Sequence, residues 1–332
     1  MIRAYLVILI AFVLVTSCGN NDIVKHHYQG EAQGSYYSII YYDKADRNLQ
    51  FEIEELLEEF DMSASNYKDS SIISLVNRGE EVQLDNIFID NFKIAQRISK
   101  ETNGDFDITV RPLVQAWGFG SVKAEEMDSS LVDSILQFVG YKKVFLIEGK
   151  IIKTDSRLQL DYDAIAQGYA VDVVCSFLED KGISSYLVDI GGEIYGSEFK
   201  DIDKKWSVGI EKPIENATYG ENLTAILELS NKGMATSGNY RKFYEKDGIK
   251  YAHTISPHTG FPIASRLLSV TVLSSITAEA DAYATAFMVM GLEKTKSFLS
   301  EHNELDAYLI YSGDSGEYRY YYTEALEELI KK

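Results

Sequence analysis

Ala280-Asp281-Ala282-Tyr283-Ala284-Thr285 runs directly into the apolar stretch Ala286 to Gly291. On a helix, an Asp and a Thr four residues apart share one face. A carboxylate and a hydroxyl on that face, at the mouth of a buried helix, can hold a hard cation through oxygen. A hard cation with open positions is a common means of handling phosphates. The same pair also fits a plainer arrangement, a helix-start Asp beside a packed Thr.

Four other segments carry residue types suited to ligand chemistry. Ser65-Asn66-Tyr67 lies in a polar stretch before Ser70 to Val76, which reads as a short helix opened by serines. A tyrosine raised on such a loop can stack on a flat ring or simply cover the loop. Gly104-Asp105-Phe106-Asp107-Ile108-Thr109 joins a glycine turn, two acids and a strand onset, and leads to Trp117, a candidate core residue. Asp161-Tyr162-Asp163-Ala164-Ile165-Ala166-Gln167-Gly168 is a loop opening a helix. Its small residues allow close backbone approach, and a helix start favours anions. It is neither a Walker loop nor a dinucleotide fingerprint. Ser237-Gly238-Asn239-Tyr240-Arg241 is followed by His253-Thr254-Ile255-Ser256-Pro257-His258-Thr259-Gly260. His253 is a candidate acid or base, or a satisfied structural histidine. Two histidines without a cysteine partner do not give zinc spacing.

The elements that must position these residues alternate irregularly. Ser35 to Tyr42, Trp206 to Glu211, Thr224 to Leu229, Leu267 to Leu273 and Ala307 to Tyr311 read as strands, the last closing the fold. Tyr186 to Ile190 is a buried strand ending at Gly191-Gly192, and residues 143–147 and 151–154 form a hairpin. Helical periodicity marks Asn48 to Phe60, Asp85 to Thr102, Leu131 to Val139, Ala278 to Gly291 and Leu292 to Ser300. Gly168 to Lys181 is a helix closed by Gly182 in a left-handed cap. Strands and helices without strict alternation predict an α+β fold in one domain.

Of 332 residues, 51 are acidic and 32 are Lys or Arg, a net charge of -19. That excludes nucleic acid as a partner, since phosphate backbones need clustered cations. It leaves room for a small phosphorylated ligand whose charge a bound cation neutralises. Arg3, the apolar run Leu6 to Val15, and Leu14-Val15-Thr16-Ser17-Cys18 form a secretory leader whose end resembles a bacterial lipobox. The expected organisation is a leader over 1–17, a lipidated tether over 18–28 beginning at Cys18, and a domain over 29–332. That places a lipid-anchored lipoprotein on a periplasm-facing membrane. The other cysteine, Cys175, reads as core packing, so a hydrophobic core must carry stability without a disulfide framework.

In this order the segments resemble the ApbE family of FAD:protein FMN transferases, over about Gly30 to Tyr311. The resemblance runs through Gly34-Ser35-Tyr36, Ser65-Asn66-Tyr67 with Ser71 to Asn77, Gly104 to Thr109, Asp161 to Asp172, Ser237 to Arg241, His253 to Gly260 and Ala280 to Thr285. It implies a T-fold-like α+β body with a single active-site cleft, and FAD and Mg2+ as ligands. The implied activity moves the FMN half of FAD to a Thr or Ser hydroxyl of a target protein and releases AMP. The implied partners are membrane redox subunits, of the Na+-translocating NADH:quinone reductase or related electron-transport type. By position, Tyr67 matches a ring-stacking residue, and Asp105, Phe106, Asp107, Asp161 and Gln167 match FAD contacts. Ile255 matches a backbone contact on the adenine side. The Ala164 carbonyl, Asp281 and Thr285 match metal ligands, and His253 matches the proposed base.

The chain departs from the usual Gly-Gly-Ile-Ala-Lys-Gly run at Asp163, Ala164 and Gln167, and Ser256 stands for the usual Asp or Asn. Loss of the lysine removes a charge that can touch phosphate, and Asp163 adds one of opposite sign. Two other activities stay open at this point. One is a Mg2+-dependent FAD pyrophosphatase giving FMN and AMP, and the other a flavin-binding lipoprotein without catalysis.

Overall fold

The computed structural model describes residues 23–119, 127–200, 204–214, 220–239, 243–246, 249–252 and 254–331. Tyr37, Ile39 and Tyr41 alternate inward along β2 (Ser35–Asp43), as a half-buried strand requires. β1 (Val24–Ala32) pairs antiparallel with it from Val24 to Ala32. The stretch expected as a tether is therefore strand from Val24 onward.

Three helices follow: α1 (Gln50–Ala64), α2 (Ile72–Arg78) and α3 (Asn86–Glu101). Ser71 caps α2 and Asp85 caps α3, each accepting a backbone amide three residues on. Ile108 and Thr109, read as a strand onset, are turn, and α4 (Arg111–Ala116) follows with Pro112 in its first turn. There a proline costs no hydrogen bond, and its fixed φ suits a helix start. α5 (Ser129–Leu136), a hairpin of β3 (Val144–Ile147) and β4 (Lys150–Lys153), and α6 (Ala166–Asp180) complete the first half. Gly182, at φ +77°, ends α6 in the left-handed conformation expected of it.

The second half is mainly strand: β5 (Tyr186–Ile190), β6 (Glu193–Gly196), β7 (Trp206–Glu211), β8 (Leu223–Leu229), β9 (Lys232–Gly238), β10 (Phe243–Lys246), β11 (Ile249–Ala252) and β12 (Leu267–Ser274). Then come α7 (Thr277–Met290), α8 (Leu292–Glu301), β13 (Asp306–Ser312), β14 (Tyr318–Tyr322) and α9 (Glu324–Glu327). β14, not β13, closes the main sheet.

One antiparallel sheet of eight strands, in the order β1-β2-β5-β6-β9-β12-β13-β14, organises the molecule. Its period-two alternation feeds two cores. On one face Ile39, Val188, Val270, Val272 and Leu309 pack with the buried sides of α6 and α7, and α1 and α3 pack outside them. On the other face Ile194, Met234, Leu273 and Ile310 meet Trp206, Leu227 and Leu229 of the β7-β8 hairpin and Leu326 of α9. A third, smaller core joins Leu113, Trp117, Val132 and Ile255. The fold is α+β, as expected. Among the described residues no helix is long and apolar enough to cross a membrane.

α7 is buried on nearly every side, so its free amides need partners inside the protein. Ile276, at its start, provides no side-chain cap. Instead Asp172 of α6 accepts from Thr277 N at 2.9 Å and Ala278 N at 2.8 Å. Asp172→Ala strands two amides and should cost roughly 1–3 kcal/mol, read as a lower urea midpoint. A loss no larger than that of a surface substitution would show that α7 does not depend on this cap.

Candidate active site

Gly168 makes the key contact between α6 and α7. A Cβ there would lie 2.6 Å from Thr277 O and 2.8 Å from Asp281 Cβ, so only glycine allows this approach. The contact brings Gly168 N to Asp281 Oδ2 at 3.1 Å. Asp281 thus lies in the second turn of α7, bonded to the start of α6. It does not cap its own helix, which is the task of Asp172. The Gly168 amide is its one hydrogen-bond partner among the described residues. One turn on, Thr285 Oγ1 is 3.1 Å from Ser237 Oγ of β9. Ala164 sits in the turn before α6, where Ile165 N and Ala166 N both donate to Tyr162 O, at 2.9 Å and 2.7 Å.

Carboxylate, hydroxyl and carbonyl form an all-oxygen donor set, which suits a hard dication that keeps open positions. Among the described residues no three His, Cys, Asp or Glu side chains group as a metal site, so the hydroxyl and the carbonyl are needed. Burial pushes the Asp281 carboxyl up to about 7. A cation opposes that shift, because it favours the ionised form. The residues present therefore fit Mg2+.

A second cluster surrounds Asp161. Asn77 of α2 clamps Leu160, donating to its carbonyl at 2.8 Å and accepting its amide at 2.7 Å. Asn77 also donates to Asn66 Oδ1 at 3.1 Å, and Asn66 donates to Asp161 Oδ1 at 3.2 Å. Tyr67, 67% exposed, reaches across and donates its hydroxyl to Asp163 Oδ2 at 3.1 Å. The Asp163 charge, with burial, raises that phenol to about 12. Gln167 lies against the tight turn after β5, where a Cβ on Gly191 would meet its Nε2 at 2.3 Å. Its carboxamide makes no hydrogen bond among the described residues.

The Gly104–Thr109 turn is fully engaged within the protein. Asp105 is ion-paired with Lys294 of α8 and lies 3.1 Å from His258 Nε2. Phe106 is buried in the main core. Asp107 accepts from Thr109 N at 2.8 Å, Thr109 Oγ1 at 2.6 Å and Tyr141 N at 2.6 Å, and burial raises its pKa. Ile255 is buried beside Trp117, whose Nε1 donates to Gly260 O at 2.7 Å. His253 and Cys18 lie outside the described residues. Thr254, next after His253, donates to Asn239 Oδ1 at 3.1 Å, just past β9.

The structure thus brings Asp281 to the start of α6, where Ala164 and Gln167 lie, places Thr285 one turn further along α7 against β9, and sets Tyr67 and Asp161 beside Asp163. It gives Asp105, Phe106 and Asp107 internal partners. Sequence reasoning placed Asn77, Ser237 and Asp172 inside motifs without giving them roles, and did not single out Arg111 or Lys294. Their importance comes from partners far along the chain, and no local pattern signals it.

Burial pushes Asp161 to about 7 and Asp172 to about 6. Both folded values exceed the ordinary 3.8, so the folded state holds more protons than the unfolded one. Their contribution is fully present below about pH 4 and is lost as pH rises through about 6 to 7. Urea midpoints of the ion-free protein should fall across that interval, and a rise would contradict the burial of these acids.

Fold and site together define an α+β protein in which the start of one helix meets a buried carboxylate on the flank of another. The ApbE family model matches residues 33–309, and the chain belongs to that family. It is 34% identical to the FAD:protein FMN transferase of Vibrio cholerae serotype O1, over 99% of this chain and 100% of that protein. It is 33% identical to the FAD:protein FMN transferase of Escherichia coli K12, over 82% of this chain and 79% of that one. The solved flavin transferase ApbE from Vibrio cholerae superposes with a TM-score of 0.82 at 31% identity, over 93% of this chain and 100% of that chain. The apo Pseudomonas stutzeri flavinyl transferase ApbE gives 0.82 at 30% identity, over 92% and 97%.

Proposed function

We propose that this protein transfers the FMN half of FAD to a Ser or Thr hydroxyl of a target protein and releases AMP. The observation that carries the proposal is the bond that holds Asp281 against the start of α6, with Thr285 one turn further along α7 beside Ser237, in a chain whose curated relatives bear that enzyme name. The acceptor oxygen forms a bond to the FMN-side phosphorus as the pyrophosphate bond to the AMP phosphate breaks. The hydroxyl proton passes to His253, and AMP leaves with the bridging oxygen. Little covalent work falls to the protein, and most of the barrier is placement and charge neutralisation.

Mg2+ held by Asp281, Thr285 and the Ala164 carbonyl would neutralise diphosphate charge and favour departure of AMP. Tyr67, exposed and held at its hydroxyl by Asp163, supplies a face for the flavin ring. Asp161 and Gln167 provide polar contacts. The Asp105 and Asp107 carboxylates already have partners, so FAD contacts from the 105–107 segment fall to backbone groups, as they do at Ile255. The acceptor class is a membrane redox subunit, of the Na+-translocating NADH:quinone reductase or related type. The leader ending at Cys18 supports a lipid anchor on a periplasm-facing membrane. Loss of detergent-phase partitioning in Cys18→Ser tests that anchor.

Incubation with FAD, Mg2+ and an acceptor protein tests the activity. Flavin fluorescence on the denatured acceptor supports transfer. Free FMN with AMP would mean hydrolysis, and intact FAD would mean binding alone.

A further inference from the structure

The Asp161–Gln167 segment brings two carboxylates and no cation to a site that must accept a diphosphate. In the hydrogen bonds and ion pairs of the described residues, one cation meets this segment: Arg111, the first residue of α4. Its side chain is 14% exposed, and its Nη1 lies 3.6 Å from Asp161 Oδ2, beyond hydrogen-bond distance. Its Nη2 makes a long bond of 3.4 Å to Asn66 O. Asp161 takes its hydrogen bonds from Asn66 Nδ2 and Asp163 N instead.

A guanidinium that pairs with a buried carboxylate frequently closes on it in a fork, and otherwise comes within hydrogen-bond distance of it. Arg47 does so in this molecule, holding Asp43 through Nε at 2.8 Å and Nη2 at 3.0 Å. Arg111 does not. Among the described residues most of its five N–H donors have no hydrogen-bond partner, and the guanidinium lies beside the loop that contains Ala164. We propose that Arg111 recognises the phosphate charge of the flavin nucleotide, in place of the absent lysine at position 167. The proposal rests on the flavin-transfer reading and adds to it a selectivity for phosphorylated flavins over riboflavin.

The test is flavin fluorescence quenching on titration of riboflavin, FMN and FAD into the full protein, with EDTA and with Mg2+. Arg111→Gln should weaken FMN and FAD about ten- to a hundredfold, the range of a lost charge-assisted bond, and leave riboflavin unchanged. Arg111→Met, which keeps the length of the side chain, should do the same. In the wild type, FMN should keep an advantage over riboflavin in EDTA, because Arg111 supplies it without metal. That measurement decides the matter if both variants misfold. Equal weakening of riboflavin, unchanged FMN affinity, or an advantage that vanishes in EDTA would each overturn the role of Arg111. The first two leave flavin binding by the wild type in place. A wild type that binds no FAD at all would instead remove the flavin-transfer reading and this inference with it.

Discussion

Asp281→Asn should fold normally, lose its response to Mg2+ and transfer flavin roughly 10²–10³-fold more slowly, a loss in the range seen when a preorganised electrostatic group is removed. The asparagine oxygen still accepts the Gly168 amide, which in the native protein reaches Asp281 at 3.1 Å. The contact between α6 and α7 therefore survives, and the variant isolates charge from shape. Without the charge, the donor set is a hydroxyl and carbonyls, a poor site for a strongly hydrated dication. Removing a carboxylate that burial pushes up to about 7 also relieves a desolvation cost at alkaline pH. The ion-free variant should thus be no less stable than the native protein there. The measurement is transfer rate against magnesium concentration, alongside a urea titration with chelator. An unchanged magnesium response in a folded variant would remove Asp281 from the ion site.

His253→Ala should slow transfer by about 10²–10⁴, the usual worth of general-base help, with FAD affinity preserved. A neutral imidazole takes the proton of an incoming hydroxyl at neutral pH, and an ordinary histidine is already poised for this. In the proposed reaction its removal slows the attack of the acceptor oxygen and leaves nucleotide binding in place. Single-turnover transfer and FAD titration on one preparation separate the two. Equal loss of rate and binding would make His253 a binding or structural residue. The pH profile offers a further check, since the rise in wild-type rate through neutrality should be absent in the variant.

Much of the fold was legible because local period reports burial. The alternation in Ser35–Asp43 and the helical spacing in Asn86–Glu101 each require one apolar face, and both elements form close to their expected bounds. The misses have physical causes. β1 was hidden because an edge strand with one side open to solvent needs little hydrophobicity, so residues 24–28 read as a polar tether. β9 was hidden by glycines. Gly233 exists because a Cβ there would come 2.5 Å from Thr277 Oγ1, a reason found in α7 rather than in the strand. β14 is a row of exposed tyrosines whose strand character depends on pairing with β13.

The candidate site divides in the same way. Asp281 and Thr285 share a stripe of α7 because helix geometry makes residues four apart neighbours, and that much follows from their spacing. That the stripe points at the start of α6 on one side and at Ser237 on the other depends on how helix and sheet pack.

The amino-acid order alone determined the family, the α+β class and the residue types available for a cation and a flavin, because these are carried by short-range spacing and by motifs within one element. Only the tertiary structure decided which carboxylates are already engaged and which are free to act. Among the described residues it commits Asp105 to Lys294 and His258, and Asp107 to Thr109 and Tyr141, while Asp281 accepts one amide and Arg111 makes only long contacts. The physical reason is that a buried polar group must find its partner across space, and distance along the chain carries no record of it.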